Sequence, residues 1–353
     1  MTVRRIRTSQ GETGSEYTAA LGPPENGRRT IAERLDELYA PVLDGLERVR
    51  HTLEALPQEQ LPFMGGLLDH VLDTTGKRVR PALTLLAARF HPNDGRTAEI
   101  MASAVELLHI ATLIHDDTVD SSDFRRGKAT VSNKWGRNAA VLLGDHVFAN
   151  SATFVCDTGN IRVIRRFSET IMELSSGELN EMSGVYDYRQ TREQYLHRIY
   201  CKTASLFTMA AESGAVLSGA PEDRVQALKE YGYNLGMAYQ IADDILDFEG
   251  SSEETGKPEG SDLAQGVLTL PTIIAMERHP EDGPIQALCE SPNDSDALKR
   301  AVDLVQGPAV MEEAFAVAEQ FSRKALNSLD ALDRNDARDS LAGLVPCLVR
   351  RSS

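Results

Sequence analysis

Asp116-Asp117-Thr118-Val119-Asp120 and Asp243-Asp244-Ile245-Leu246-Asp247 repeat one spacing of carboxylates, the second beginning 127 residues after the first. On a helix the first and fifth residues of each pentad project side by side from successive turns. Such a stripe repels itself, and magnesium relieves the repulsion, because it takes hard oxygen ligands and is held by one or two carboxylates together with substrate phosphates. Two stripes facing each other would trap a diphosphate between them. A single acidic patch is more often a solvated face. Here, however, Asp116 follows Leu107, Leu108, Ile110, Ala111, Leu113 and Ile114, and Asp243 follows Leu235, Met237, Ala238, Ile241 and Ala242, so each pentad ends an apolar helix.

Opposite charge follows each pentad: Arg125, Arg126 and Lys128 after the first, and Lys257 in Thr255-Gly256-Lys257-Pro258-Glu259-Gly260 after the second. Adjacent arginines in an extended or turning segment point in different directions, so Arg125 and Arg126 can serve two phosphate groups, whose oxygens suit guanidinium forks. Lys77 and Arg80 stand one turn apart near the start of a helix, where the macrodipole also favours an anion. His109 lies two turns before Asp116 on nearly the same face, Gln240 precedes Asp243, Asp244 and Asp247 by three, four and seven residues, and Lys202-Thr203 adds a cation and a hydroxyl. A diphosphate ligand accounts for this set.

The elements that must position these residues read as helices. From Ile31 the apolar residues Leu35, Leu38, Tyr39, Val42, Leu43, Leu46 and Val49 recur at three and four, with Pro41 kinking or dividing the segment. The same period runs through about 61–73, 79–90, 97–120, 139–157, 161–186, 192–217, 222–248, 294–306, 309–331 and 336–350, while strand-like alternation is scarce. The fold expected is all-α, one helical domain over 30–353 behind a disordered tail at 1–29. That tail is rich in Gly, Thr, Ser, Pro and Glu and shows no amphipathic pattern of a targeting segment. The main interruptions are Ser121 to Arg137, Glu249 to Gly266 and His279 to Asp294. The first two directly follow the pentads, and Glu249 to Gly266 is placed to act as a mobile lid.

Composition limits the function classes. With 37 basic and 53 acidic residues the formal net charge is -16, which argues against nucleic acid as a partner. Cys156, Cys201, Cys289 and Cys347 lack metal-ligand or paired spacing and point to free thiols in the cytoplasm. No continuous apolar run reaches the roughly 18 residues of a membrane span, so no stable membrane insertion is expected.

Taken in order, Gly76-Lys77-Arg78-Val79-Arg80-Pro81, His115 through Asp120, Phe124-Arg125-Arg126-Gly127, Gly144-Asp145, Lys202-Thr203-Ala204, Tyr239 through Asp247, and Gly256-Lys257 through Ser261-Asp262-Leu263 to Thr269-Leu270-Pro271 resemble the motifs of the trans-polyprenyl diphosphate synthases, over about residues 60 to 275. Thr118, Tyr239 and Val267 stand where that family more often has an aliphatic, a phenylalanine and a basic residue. The resemblance implies a helical bundle around a deep cavity, a homodimer, and three magnesium ions bridging the pentads and an allylic diphosphate. It implies catalysis by Asp116, Asp117, Asp120, Asp243, Asp244 and Lys202. Metal ligands would be Asp116, Asp120 and Asp243, with Asp247 from the same stripe, and Asp117 and Asp244 in support. Arg125, Lys202, Thr203, Gln240 and Lys257 would hold the allylic diphosphate, and Lys77, Arg80, His109 and Arg126 isopentenyl diphosphate.

The implied reaction ionises the allylic C–O bond, joins the cation to the isopentenyl double bond and loses a proton, with no side-chain nucleophile. Product length would depend on what blocks the tunnel below Asp116. Ala111 and Thr112 stand there and neither is bulky, so a product of about C30 to C50 is expected, with geranylgeranyl (C20) diphosphate as the runner-up. A class I terpene cyclase is disfavoured, since it needs no isopentenyl pocket and its second metal motif mixes Asn or Asp with Ser/Thr and Glu. A non-catalytic synthase subunit is disfavoured because both pentads are whole.

Overall fold

The computed structural model describes residues 30–56, 62–72, 76–249, 259–280 and 283–349. Residues 1–29 and Lys257 lie outside them. The chain is helical almost throughout: α1 (Ile31–Leu38), α2 (Leu43–Ala55), α3 (Pro62–Leu72), α4 (Val79–Ala87), α5 (Arg96–Val119), α6 (Val131–Trp135), α7 (Arg137–Asp157), α8 (Ile161–Ser183), α9 (Arg192–Ile199), α10 (Ser205–Leu217), α11 (Glu222–Glu249), α12 (Ser261–Ala264), α13 (Leu270–Arg278), α14 (Pro284–Glu290), α15 (Ser295–Val305), α16 (Pro308–Ser328) and α17 (Asp336–Val349). Local chemistry sets several starts. Thr30 and Thr191 open α1 and α9 with reciprocal capping boxes to Glu33 and Gln194, and Asn160 and Asp294 cap α8 and α15.

Helix α10 is the centre of the bundle, packed against α4, α5, α8 and α11. It is almost wholly buried from Ser205 to Ala215, as a helix apolar on all sides must be. Backbones meet there without side chains between them. A Cβ added at Gly214 would lie 2.1 Å from the Thr84 carbonyl of α4, and one at Gly236 of α11 would lie 2.6 Å from the Ala204 Cα. Around this axis one apolar core joins α1–α5, α7, α8, α10, the first half of α11 and α17, and a second joins α9, the end of α11 and α13–α16. Both long helices that carry the pentads, α5 and α11, are thereby fixed along most of their length.

The apolar stripes read from the sequence correspond to helices, with informative differences. Pro41 does divide the first segment, through the 3-10 turn Ala40–Val42. The stripe at 192–217 is α9 and α10 joined by a π-turn at Tyr200–Ala204, which widens the helix at Lys202. The polar stretch after the first pentad holds α6 and a two-stranded antiparallel hairpin, β1 (Phe124–Arg125) and β2 (Lys128–Ala129). Helix α14 lies inside the His279–Asp294 interruption, begun by Pro284, whose fixed φ suits a first turn. Two helices, α5 and α7, also reach by mean hydropathy and length what a membrane span requires, although no uninterrupted apolar run does. The relevant window of α5 is 67% buried inside the protein and that of α7 33%.

The contact at Gly214 is between two backbones, so it cannot be relieved by rotating a side chain. Gly214→Ala is expected to destabilise the protein by about 1–3 kcal/mol, the usual range for overpacking, read as a lower denaturation midpoint at unchanged slope.

Candidate functional site

Lys77, Arg80, Arg125 and Arg126 converge on one cavity of about 720 Å³, lined also by Glu106, His109 and Tyr239. The β1–β2 hairpin separates the adjacent arginines. Its turn is Arg126-Gly127, both with positive φ (50° and 76°), the combination that matches the strand twist in two-residue hairpins. Arg125, in β1, donates from Nε to Asp117 Oδ1 at 2.6 Å. Arg126, in the turn, lies against Gly76, where a Cβ would come 2.4 Å from its Nη1. The absence of a side chain at Gly76 admits the guanidinium.

Arg80 is the second residue of α4, whereas Lys77 precedes the helix, its carbonyl held by the Tyr39 hydroxyl at 2.9 Å. The Arg80 guanidinium lies 4.7 Å from the Phe207 ring centroid, and its Nη1 is 3.1 Å from His109 Nε2. Arginine can only donate, so Nε2 accepts and Nδ1 carries the imidazole proton. Burial, then the charges of Arg80, Arg126 and Arg125, hold the His109 pKa well below its ordinary value, so the ring is neutral and is not one of the cations. Arg80 Nε is a buried donor with no hydrogen-bond partner, an arrangement that favours an incoming anion.

The first pentad ends α5. Asp120 is the residue just past the helix, and its N–H bonds the Asp116 carbonyl at 2.8 Å, so the two carboxylates keep the one-turn relation. Asp116 is pushed up to about 7 by burial and by Glu178 and Asp120, against the pull of Lys202 and Arg125. Lys202, on the π-turn, is paired with Glu181 at 2.5 Å and Glu178 at 3.2 Å, both from the end of α8. These acids and Asp116 hold the Lys202 pKa above its ordinary range despite burial. Next to Lys202, Thr203 donates to Gln240 Oε1 at 2.6 Å, and Gln240 donates to Asp244 Oδ1 at 2.8 Å. The π-turn is thus the link between the two pentads.

In the second pentad Asp244 is buried and Asp243 partly exposed, within the electrostatic range of Arg80. Asp247 also has partners within the chain. Its oxygens accept from the Ser261 hydroxyl at 2.8 Å and the Asp262 N–H at 3.1 Å, so it anchors the start of α12.

The polyprenyl synthetase family model matches residues 62–305. The chain belongs to the polyprenyl synthetase family. Among its relatives, heptaprenyl diphosphate synthase component 2 of Geobacillus stearothermophilus is 36% identical over 318 residues, 90% of this chain and 99% of the relative. A crystal structure of a decaprenyl diphosphate synthase from Rhodobacter capsulatus superposes with a TM-score of 0.84 at 34% identity, covering 90% of this chain and 99% of that one. A polyprenyl synthase from Caulobacter crescentus, solved with calcium and isoprenyl diphosphate, gives a TM-score of 0.84 at 31% identity, covering 94% of this chain and all of that one.

Family membership makes this protein a prenyltransferase, and it gives a frame for residues that the sequence pattern did not single out. Glu106, buried on α5 one turn before His109, is the carboxylate facing Arg80, Arg78 and Arg126. Glu178 and Glu181 sit beside Lys202, and Tyr195 donates to Asp244 Oδ2 at 2.6 Å. The available signals were weak: Glu178 and Glu181 are three apart beside the mid-helix Gly177, and Tyr195 is two turns before Lys202.

The donor set suits a hard divalent cation. Carboxylates held close together out of water are driven toward protonation, and a cation removes that cost. Among the described residues no three acidic, histidine or cysteine side chains form a metal cage, so water and phosphate oxygens would complete the coordination, as magnesium prefers.

Raised carboxyl pKa values give a signed pH dependence. Asp116 and Asp244 both have an ordinary value of 3.8 and are pushed up to about 7, chiefly by burial. Between those values the folded state holds the extra protons, so stability falls as pH rises from about 4 through about 7. Thermal melts of metal-free protein should show this decline, flattened in Asp116→Asn, with added magnesium raising Tm most above pH of about 7.

Proposed function

We propose that this prenyltransferase condenses isopentenyl diphosphate with an allylic diphosphate to build an all-trans polyprenyl diphosphate of about C30 to C50. The observation that carries the reading is the division of cations beside the pentads. Arg125 turns to Asp117, while Arg126 turns to Gly76 and the Lys77–Arg80–His109 pocket. Two anionic substrates would therefore be held by different cations of one cavity.

Arg125, Lys202, Thr203 and Gln240, with Lys257 from the second interruption, hold the allylic diphosphate; Lys77, Arg80, Arg126 and neutral His109 hold the isopentenyl diphosphate. Asp116, Asp120 and Asp243 would hold magnesium, three ions per site, whose charge stabilises the departing diphosphate. Asp117 orients Arg125 through the 2.6 Å bond. Lys202 and Arg125 add positive charge where negative charge accumulates as the allylic C–O bond opens. The two pockets align the isopentenyl double bond with the allylic carbon, and the proton released after addition goes to the freed diphosphate. The apolar walls of α5 and α10 exclude water from the cation.

Chain length follows from the helix below the first pentad. Ala111 is 1% exposed, and Thr112 is partly buried with its hydroxyl spent on the His109 carbonyl at 2.8 Å. Neither side chain is bulky. The relatives named as heptaprenyl and decaprenyl synthases support the long product over C20.

A homodimer suits the outer face of α7 and α8. Leu142 is 67% exposed there and Val141, Met172, Leu179 and Met182 are also exposed, an apolar patch of the kind that marks an interface. The Geobacillus relative is named as one component, so a second kind of subunit is the alternative occupant of this face. We place the enzyme in the cytoplasm, a reading supported by the absence of disulfides among the described cysteines.

With magnesium and labelled isopentenyl diphosphate, C5 to C20 allylic primers should be extended to products of C30 or longer; no incorporation with any primer would refute the reaction. Ala111→Tyr should shorten the product, and an unchanged ladder would remove Ala111 from its control. Leu142→Glu combined with Met172→Glu should convert dimer to monomer in analytical ultracentrifugation, whereas an unaffected dimer would place the interface elsewhere.

A further inference from the structure

We propose that Tyr195 is a positioning residue for the allylic half of the site, acting through a directed hydrogen-bond chain that ends on Thr203. This rests on the allylic role given above to Thr203 and Gln240. Tyr195 is fully buried on α9 and donates to Asp244 Oδ2 at 2.6 Å. Gln240 Nε2 donates to the other oxygen, Oδ1, at 2.8 Å, and Gln240 Oε1 accepts from the Thr203 hydroxyl at 2.6 Å.

The direction of every bond follows from what each group can do. In its ionised form, which the bonds from Tyr195 and Gln240 favour, Asp244 only accepts, so the Gln240 amide turns its NH2 toward it and its carbonyl toward Thr203, whose hydroxyl is then the donor. Burial and the neighbouring Asp244 push the phenol pKa well above its ordinary value, so Tyr195 stays a donor. Without it, Asp244 would keep one oxygen unpartnered in an apolar pocket and could rotate, freeing Gln240 and then Thr203. Tyr195 itself is joined to Thr203 only through Asp244 and Gln240. Its ring lies beside Arg198, 5.7 Å away, which donates at 2.6 Å to the Leu268 carbonyl. The same corner of the fold therefore fixes both Asp244 and the segment that follows the second pentad.

A matched control exists in the same molecule. Tyr231 is equally buried, and its hydroxyl donates at 2.6 Å to the Leu341 carbonyl. It lies 12 residues before Asp243 on α11, about 18 Å along the helix. Tyr195→Phe and Tyr231→Phe each delete one buried phenol bond, but only the first touches the chain to Thr203.

The test is steady-state kinetics of both variants in saturating magnesium, varying a C15 allylic diphosphate and isopentenyl diphosphate separately, alongside thermal melts. Tyr195→Phe should raise the allylic KM about tenfold, the scale of one charge-assisted hydrogen bond, and lower kcat, while the isopentenyl KM stays within about twofold. Tyr231→Phe should lower Tm and leave both KM values near wild type. Equal effects of the two variants, or an unchanged allylic KM in Tyr195→Phe, would overturn the positioning role. A rise confined to the isopentenyl KM would instead overturn the assignment of the half-sites. If Tyr195→Phe does not fold, the pair Asp244→Asn and Thr203→Val tests the same chain. Losses that fail to multiply in the double variant support it, and independent multiplication overturns it.

Discussion

Charge held out of water is the constraint on which this structure depends. Asp116, Asp117, Asp244, Glu106, Glu178, Arg80 and Lys202 all sit at the ends or along the inner faces of apolar helices, where an isolated ion is costly. Several are stabilised by a specific neighbour: Arg125 for Asp117, Glu178 and Glu181 for Lys202, Tyr195 and Gln240 for Asp244. The remaining imbalance is functional. Asp116 keeps a raised pKa, and Arg80 keeps a buried donor without a partner, so one region is short of cation and the other of anion. The proposed magnesium diphosphate would supply both.

This electrostatic arrangement needs a rigid frame, because strength in a low-dielectric site depends on fixed distances. The frame is the close packing of α4, α10 and α11 at Gly214 and Gly236. Continuous burial of α10 leaves no slack between the helices that carry Arg80, Thr203 and Asp243. The π-turn at Tyr200–Ala204 is the local departure from that regularity. It places Lys202 against Glu178 and Glu181 near Asp116 and sets Thr203 beside Gln240, so one wide turn reaches both pentads.

The loops are ordered by the same carboxylates. Asp117 fixes the hairpin through Arg125, and Asp247 fixes α12 through Ser261 and Asp262. Each pentad therefore has a member that shapes the segment that follows it. The second turn of α7, at Val141 and Leu142, and the later turns of α8, at Met172, Leu179 and Met182, leave apolar side chains outward.

Much was legible in the sequence because it depends on periods and on charge. The helical period located the long helices, and paired carboxylates ahead of basic loops located the site, since both patterns repeat within a few residues and need no tertiary knowledge. Pro41 was readable as a break for the same reason. Other features arise between residues far apart in the chain. His109 read as a phosphate holder, yet only its burial beside Arg80 makes it neutral; Asp247 read as a ligand, and only the fold shows that its oxygens also accept from Ser261 and Asp262. Glu106, Glu178, Glu181 and Tyr195 carried no signal of their own, because a lone glutamate or tyrosine on a helix is ordinary until packing shows what it faces. The sequence by itself determined an all-helical chain with two carboxylate stripes and the cations to match, through local periodicity and charge. Tertiary structure alone decided which of those charges are buried, paired or left open, because protonation and hydrogen-bond direction are set by neighbours that only folding brings together.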